Sequence, residues 1–228
     1  MNTDRIIGII GFVVSVLGIV AIPKMSVGWV TLATGIVLIS FFVFKTRQPE
    51  FLYLFSCFIY DFTSGRDIVK GRKLVLFKVT KPGITRLEAT GLTSTGRYEN
   101  FKSNIPGRLS VLKDDGGALK VRCDLEKSLR IGKEINWILS YDLVDSFDSE
   151  TEEVCIPCLS KCRTGALHVV FSPEDPPIEL IKVVSKNGID MTSENVKFNH
   201  ELPEVYWRFP IKFGLIYTFR WQWKAQPS

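Results

Sequence analysis

The chain has 228 residues, an apolar content of 46% and a formal net charge of +5. That is enough for one substantial domain, or for a smaller one with an accessory segment. A balance of +5 is too mild for extended contact with duplex DNA, whereas a short oligonucleotide needs only a few basic contacts. Five cysteines, an odd number, do not make the even framework of a secreted disulfide scaffold.

Two uncharged runs come first: residues 6–22, IIGIIGFVVSVLGIVAI, and residues 25–44, MSVGWVTLATGIVLISFFVF. Each approaches the roughly 20 residues a helix needs to cross a hydrocarbon layer, so the pattern predicts two transmembrane helices. A signal peptide fits less well, because AIPKM offers no small-x-small cleavage site and a second apolar run follows at once. The short turn at Pro23 and Lys24 makes the pair an antiparallel hairpin, with both ends on one side. Lys45 and Arg47 flank the large domain and Arg5 precedes the first run, against Lys24 alone in the turn. Positive charge therefore favours a cytoplasmic domain.

Small residues recur along both runs: Gly8, Gly11, Ser15 and Gly18 in the first, and Gly28, Thr31 and Gly35 in the second. Such stripes let helices approach closely in lipid. They serve either to hold one hairpin together or to join several hairpins around a path lined by Ser15, Thr31 and Thr34. No charged residue falls within either run, which disfavours a proton relay or a dedicated ion-binding transporter.

Residues 45–62, KTRQPEFLYLFSCFIYDF, read in two ways. Phe51, Leu54, Phe55, Phe58 and Phe62 recur at helical spacing, which suits an interfacial amphipathic helix linking membrane and domain. A first strand of the domain fits the same residues. The expected organisation is thus a hairpin at 1–45, an interfacial linker at 46–70 and a β domain at 71–228.

From residue 71 the period changes to two. KLVLFKVT, ITRLEAT, RLSVL, ALKVRCDL, EINWILSYDLV, GALHVVF, IELIKVV, EVYWRF and LIYTFRWQW are short apolar or alternating runs, separated by turn signals such as KPG, DDGG and KNG. They predict an all-β sandwich or barrel, so the fold class expected for the whole chain is an α+β membrane protein. In the last run Leu215, Tyr217, Phe219, Trp221 and Trp223 share one face and are assigned to the core. Val205, Trp207, Phe209 and Ile211 make a second apolar face. On the opposite faces Tyr206, Arg208, Arg220, Gln222 and Lys224 are expected to cluster.

A second basic concentration surrounds Arg72, Lys73, Lys78 and Arg86. It suits either an anionic lipid surface or a phosphate-rich ligand, since arginine grips phosphate oxygens in bidentate fashion. The candidate ligand contacts are therefore Arg72, Lys73, Lys78, Arg86, Tyr206, Arg208, Arg220 and Lys224.

Enzyme signatures are poor: the two histidines, His168 and His200, sit in no recognisable triad, and neither a Walker lysine loop nor GxGxxG is present. CIPCLSKC, with Cys155, Cys158 and Cys162, offers only half of a zinc site. Neither a metal nor a cofactor is expected, and the chain reads as a non-enzyme.

In architecture, along its whole length and without a diagnostic motif, the chain resembles the two-transmembrane β-barrel effectors of bacterial cyclic-nucleotide anti-phage systems. It is also similar to the membrane effector of the Hailong defence system, which binds short DNA oligomers. The resemblance implies a homo-oligomeric bacterial inner-membrane effector or ion channel, controlled by a short single-stranded or cyclic oligonucleotide and acting by permeabilisation. It also implies a nucleotidyltransferase encoded alongside. The alternative is a membrane-anchored β-sandwich that recruits a protein partner, its helices serving only as an anchor.

Overall fold

The computed structural model describes Gly35 and residues 49–92, 96–113, 119–157, 162–197 and 203–223. The chain divides into two units, 1–49 and 50–228, and every described strand lies in the second. The expected α+β membrane class is corrected by what is described, which is an all-β fold. Among the described residues no helix is long and apolar enough to cross a membrane, so neither the two spans nor the inner-membrane location is supported. Gly8, Gly11, Ser15, Gly18, Gly28, Thr31 and Thr34 lie outside the described residues, and Gly35 is described as helical and buried. The expectation rested on uncharged runs, and such runs specify burial without specifying the medium that provides it.

Three sheets make up the second unit. The largest has six strands in the order β12 (Glu204–Pro210), β9 (Thr164–Val170), β1 (Phe51–Asp61), β2 (Ile68–Val79), β7 (Glu134–Val144) and β4 (Arg97–Ser103). A four-stranded sheet runs β11 (Ile189–Asn195), β10 (Glu179–Lys186), β13 (Ile216–Gln222) and β8 (Thr151–Pro157). The third is β3 (Ile84–Leu92), β6 (Leu119–Leu129) and β5 (Gly107–Lys113). Of the two readings of residues 51–62, the strand is the one observed. Phe58, Tyr60 and Phe62 are buried on one side, while Cys57 on the other is buried too, so apolar residues on both faces imitated a helical spacing.

One core joins all three sheets. The six-stranded sheet contributes Phe58, Tyr60, Val75, Phe77, Trp137, Leu139, Leu167 and Phe209, all buried. The four-stranded sheet meets it through Tyr217, Phe219 and Trp221, with ring centroids of Phe209 and Tyr217 3.9 Å apart and stacked. Trp207 lies 5.6 Å from Phe219, and Phe62 lies 5.6 Å from both Trp221 and Trp223. Ring pairs at these separations add to the gain from area removed from water. Leu87, Ala89, Val121 and Cys123 bring the three-stranded sheet into the same core. At Gly71 the absence of a side chain is a packing requirement, because a Cβ there would overlap the ring of its cross-strand partner Tyr141.

Candidate functional site

Antiparallel and parallel registers fix which residues of the six-stranded sheet stand side by side. The outward face carries one row composed of Tyr206, His168, Ile59, Arg72, Ser140 and Lys102, each on its own strand from β12 to β4. The next row is Arg208, Ala166, Cys57, Leu74 and Ile138. With strands roughly 4.8 Å apart, Tyr206 and Arg72 are separated by three steps, roughly 14 Å. Their side chains point the same way because alternate residues of a strand share a face.

Across these two rows the charged groups are cationic: Arg72, Lys102, Arg208 and, when protonated, His168. Arg72, Lys102 and Arg208 are exposed and form no ion pair among the described residues. Between the cations the side chains are apolar: Ala166, fully buried, and Cys57, 5% exposed, are already covered, while Ile59, Leu74 and Ile138 are half-buried and leave apolar surface open. Burial pushes the Cys57 thiol up to about 11, so it stays protonated and acts as a small apolar side chain. Tyr206 is 54% exposed, its ring 5.9 Å from that of His168 in an edge contact. His168 Nε2 lies 3.3 Å from the Glu204 carboxylate. Glu204 opens a neighbouring row with Asp61, Lys70, Asp142 and Glu99, so an acidic border closes one side of the cationic strip. The strip can hold an anion that carries a planar or apolar portion, with charge gripped by Arg72 and Arg208 and a flat face against Tyr206.

The structure separates several residues that the sequence groups together. Tyr206 and Arg208 were expected to cluster with Arg220 and Gln222, but β12 and β13 belong to different sheets whose apolar faces meet. Their polar faces therefore point to opposite sides of the sandwich. Arg220 is engaged on its own sheet, with Nη2 3.1 Å from Glu153 and Nη1 3.7 Å from Asp190. Arg86 lies on the three-stranded sheet and pairs with Asp124 at 3.2 Å. Lys78 is exposed on the outward face near its cross-strand partner Glu134, three same-face rows beyond that of Arg72. Lys224 lies outside the described residues.

Lys73 is the largest departure. It follows Arg72 directly and so faces inward, beside Phe58 and Leu139. Its ammonium donates to the Thr90 carbonyl at 2.8 Å and lies 4.7 Å from the centre of the Phe58 ring. A cavity of about 130 Å³ adjoins it, lined in part by Tyr53, Ser56, Glu88 and Cys162. Desolvation lowers the Lys73 pKa to about 8. A side chain so placed points to the face opposite Arg72 and cannot join the row of Tyr206 and Arg72.

Lys102 belongs to the strip and went unread, because β4, RYENFKS, has no apolar alternation to mark it as a strand. Cys155 and Cys162 are free thiols, Cys158 lies outside the described residues, and among the described residues no group of three ligands could hold a metal ion.

No protein-family model matches the chain, and no curated protein matches it. Solved structures similar to it include an M1 zinc metallopeptidase from Deinococcus radiodurans, at 12% identity and a TM-score of 0.42 over 75% of this chain and 42% of that one. A mutant of a two-domain M1 zinc metallopeptidase bound to L-tryptophan matches at 12% identity and a TM-score of 0.41, over 75% and 43%. The chain spans less than half the length of these structures. Likeness at that level carries no argument about what the chain does.

Proposed function

We propose that the β domain binds a short single-stranded or cyclic oligonucleotide on the outward face of its six-stranded sheet, and that the protein is a nucleotide-responsive effector of anti-phage defence. The observation that carries the reading is the strip itself: an exposed aromatic ring, half-buried apolar side chains and three cations that form no ion pair among the described residues, in two adjacent rows. Phosphates meet Arg72, Arg208 and Lys102, while one base stacks on Tyr206 for ~1–3 kcal/mol. A sheet holds these groups at fixed spacing, so no loop has to be ordered first. The ligand class rests on the chemistry of the strip, and a nucleotidyltransferase is proposed as the ligand's source. This is a binding role and not a catalytic one.

The test is titration of full-length protein with short single-stranded DNA and with a cyclic dinucleotide, across a salt series. Three phosphate contacts correspond to a slope of log K against log salt of about −2 for a single strand. Arg72→Glu and Arg208→Glu abolish binding without unfolding, and Tyr206→Ala weakens it roughly tenfold or more. Binding that survives both charge reversals refutes the assignment of the face. Failure of both ligand classes to bind in the micromolar range refutes the ligand.

A further inference from the structure

A groove of about 540 Å³ opens elsewhere on the domain, between the end of β6 with its turn into β7 and the short link at Ile105 and Pro106. Its floor is apolar: Ile105, Leu125 and Leu129 are partly buried and packed against the core. Its rim is cationic, with Lys127, Arg130 and Lys133 exposed. None of the three forms an ion pair among the described residues. Among the described residues Glu126 is the one acid in the lining, and Glu134 follows Lys133 at the start of β7.

The turn that carries two of these cations is pinned. Gly132 N donates to the Val79 carbonyl at 2.8 Å, Val79 N donates back to the Lys133 carbonyl at 3.0 Å, and Lys133 N donates to the Arg130 carbonyl at 3.3 Å. Gly132 has φ +80°, a backbone state glycine adopts without strain. Arg130 and Lys133 are thus presented from a fixed backbone, and a volume of this size lies within the roughly 300–1,000 Å³ range of ligand pockets.

Two features have to be satisfied together. A bare anion meets the cations but leaves Leu125 and Leu129 against water, while a neutral hydrocarbon covers the floor but leaves three cations without a counter-charge. A molecule with both parts answers both, since apolar area is removed from water and the anionic head accepts charge-assisted hydrogen bonds. We propose that this groove binds a single-chain anionic amphiphile, its hydrocarbon on Ile105, Leu125 and Leu129 and its carboxylate or phosphate monoester head among Lys127, Arg130 and Lys133. The site shares no residue with the Tyr206 strip.

The experiment is isothermal titration of the full chain with dodecanoate and with dodecyl phosphate below their micelle concentrations. Dodecanol, dodecyltrimethylammonium and inorganic phosphate are the comparison probes. Either or both anionic amphiphiles bind, the stronger of the two reporting the preferred head, while each comparison probe binds at least about tenfold more weakly. The double variant Lys127→Glu with Arg130→Glu, on an exposed rim, weakens binding about tenfold or more. Leu129→Ser weakens dodecyl phosphate while leaving inorganic phosphate unchanged, and Tyr206→Ala changes neither amphiphile. Equal binding of dodecanol, or a rim variant that binds like the parent, overturns the proposal. So does loss of amphiphile binding in Tyr206→Ala, which would move the ligand to the sheet face. That last outcome leaves the oligonucleotide reading to its own test.

Discussion

Replacing Lys73 by methionine stabilises the protein, and the gain depends on pH in a stated direction. Lys73 occupies an inward position between Phe58 and Leu139, where burial lowers its pKa from 10.5 to about 8. A pKa unit corresponds to about 1.4 kcal/mol, so holding the ammonium there costs about 3 kcal/mol as an upper bound. The side chain is only half-buried, and solvent screening reduces this to about 2 kcal/mol. Methionine keeps the apolar stem but gives up the hydrogen bond to the Thr90 carbonyl, at about 1 kcal/mol. The net gain at pH 7 is on the order of 1 kcal/mol, or roughly 2–4 °C in Tm for a domain of this size. Between pH 8 and 10.5 the unfolded parent binds more protons at this position than the folded one, so the parent's stability rises with pH while the variant's does not. The advantage of Lys73→Met is therefore complete below pH 8 and shrinks toward pH 10.5. Denaturant unfolding of parent and variant, followed by tryptophan fluorescence at pH 7 and pH 10, measures it. A variant less stable than the parent at pH 7, or a difference that does not shrink with pH, refutes the reasoning.

Gly71→Ala forces a methyl group into the ring of Tyr141 and destabilises by about 1–3 kcal/mol, read as a lower denaturation midpoint with unchanged slope. Trp221→Ala removes a ring that is 1% exposed and contacts Phe62, Phe147 and Phe171. It costs about 3–5 kcal/mol, enough to lose the native near-ultraviolet circular dichroism at moderate temperature. Arg220→Ala breaks partly exposed pairs with Glu153 and Asp190, so it lowers stability by less than about 1 kcal/mol and leaves oligonucleotide titration curves unchanged.

What the sequence makes legible follows from where each strand lies. The strands with an apolar face toward the core announce themselves by alternation, and the terminal run is the clearest. Tyr217, Phe219, Trp221 and Trp223 are all buried, as their spacing indicates. The strands that carry no such signal are β4, β8 and β11, and each stands at the edge of its sheet. Edge strands have fewer packed neighbours and tolerate polar side chains; every residue of β11, IDMTSEN, is exposed. The strand β1 fails for the opposite reason, since Phe58 and Tyr60 on one face and Cys57 on the other are all buried. Within the candidate strip, Arg72, Tyr206 and Arg208 were legible as exposed cations and an aromatic on strands. Lys73 was misplaced because a basic run gives no parity, and only the register shows that one of two adjacent basic residues must point inward.

The membership of the strip is decided by pairings that no local pattern contains. β9 runs parallel to β1, and β12 adds to the far side of β9, so residues from both ends of the domain enter one row. The segment after β12 turns at Gly214, with φ +79° and Leu215 N donating to the Lys212 carbonyl at 3.1 Å. It then delivers β13 to the other sheet and not back beside β12. Had the two strands paired as a hairpin, the basic residues of both would share one surface. The core selects the observed arrangement: Val205 and Phe209 are 6% and 3% exposed, and shifting β12 by one residue would turn them to solvent while driving Arg208 inward. Burying an unpaired guanidinium costs several kcal/mol, and exposing the aromatic ring adds to it. The register, and with it the position of Tyr206 and Arg208 beside His168 and Ala166, is held by the packing of the opposite face. The outward residues are then free to change without disturbing the fold, which is the condition under which a binding surface on this sheet can be tuned to its ligand.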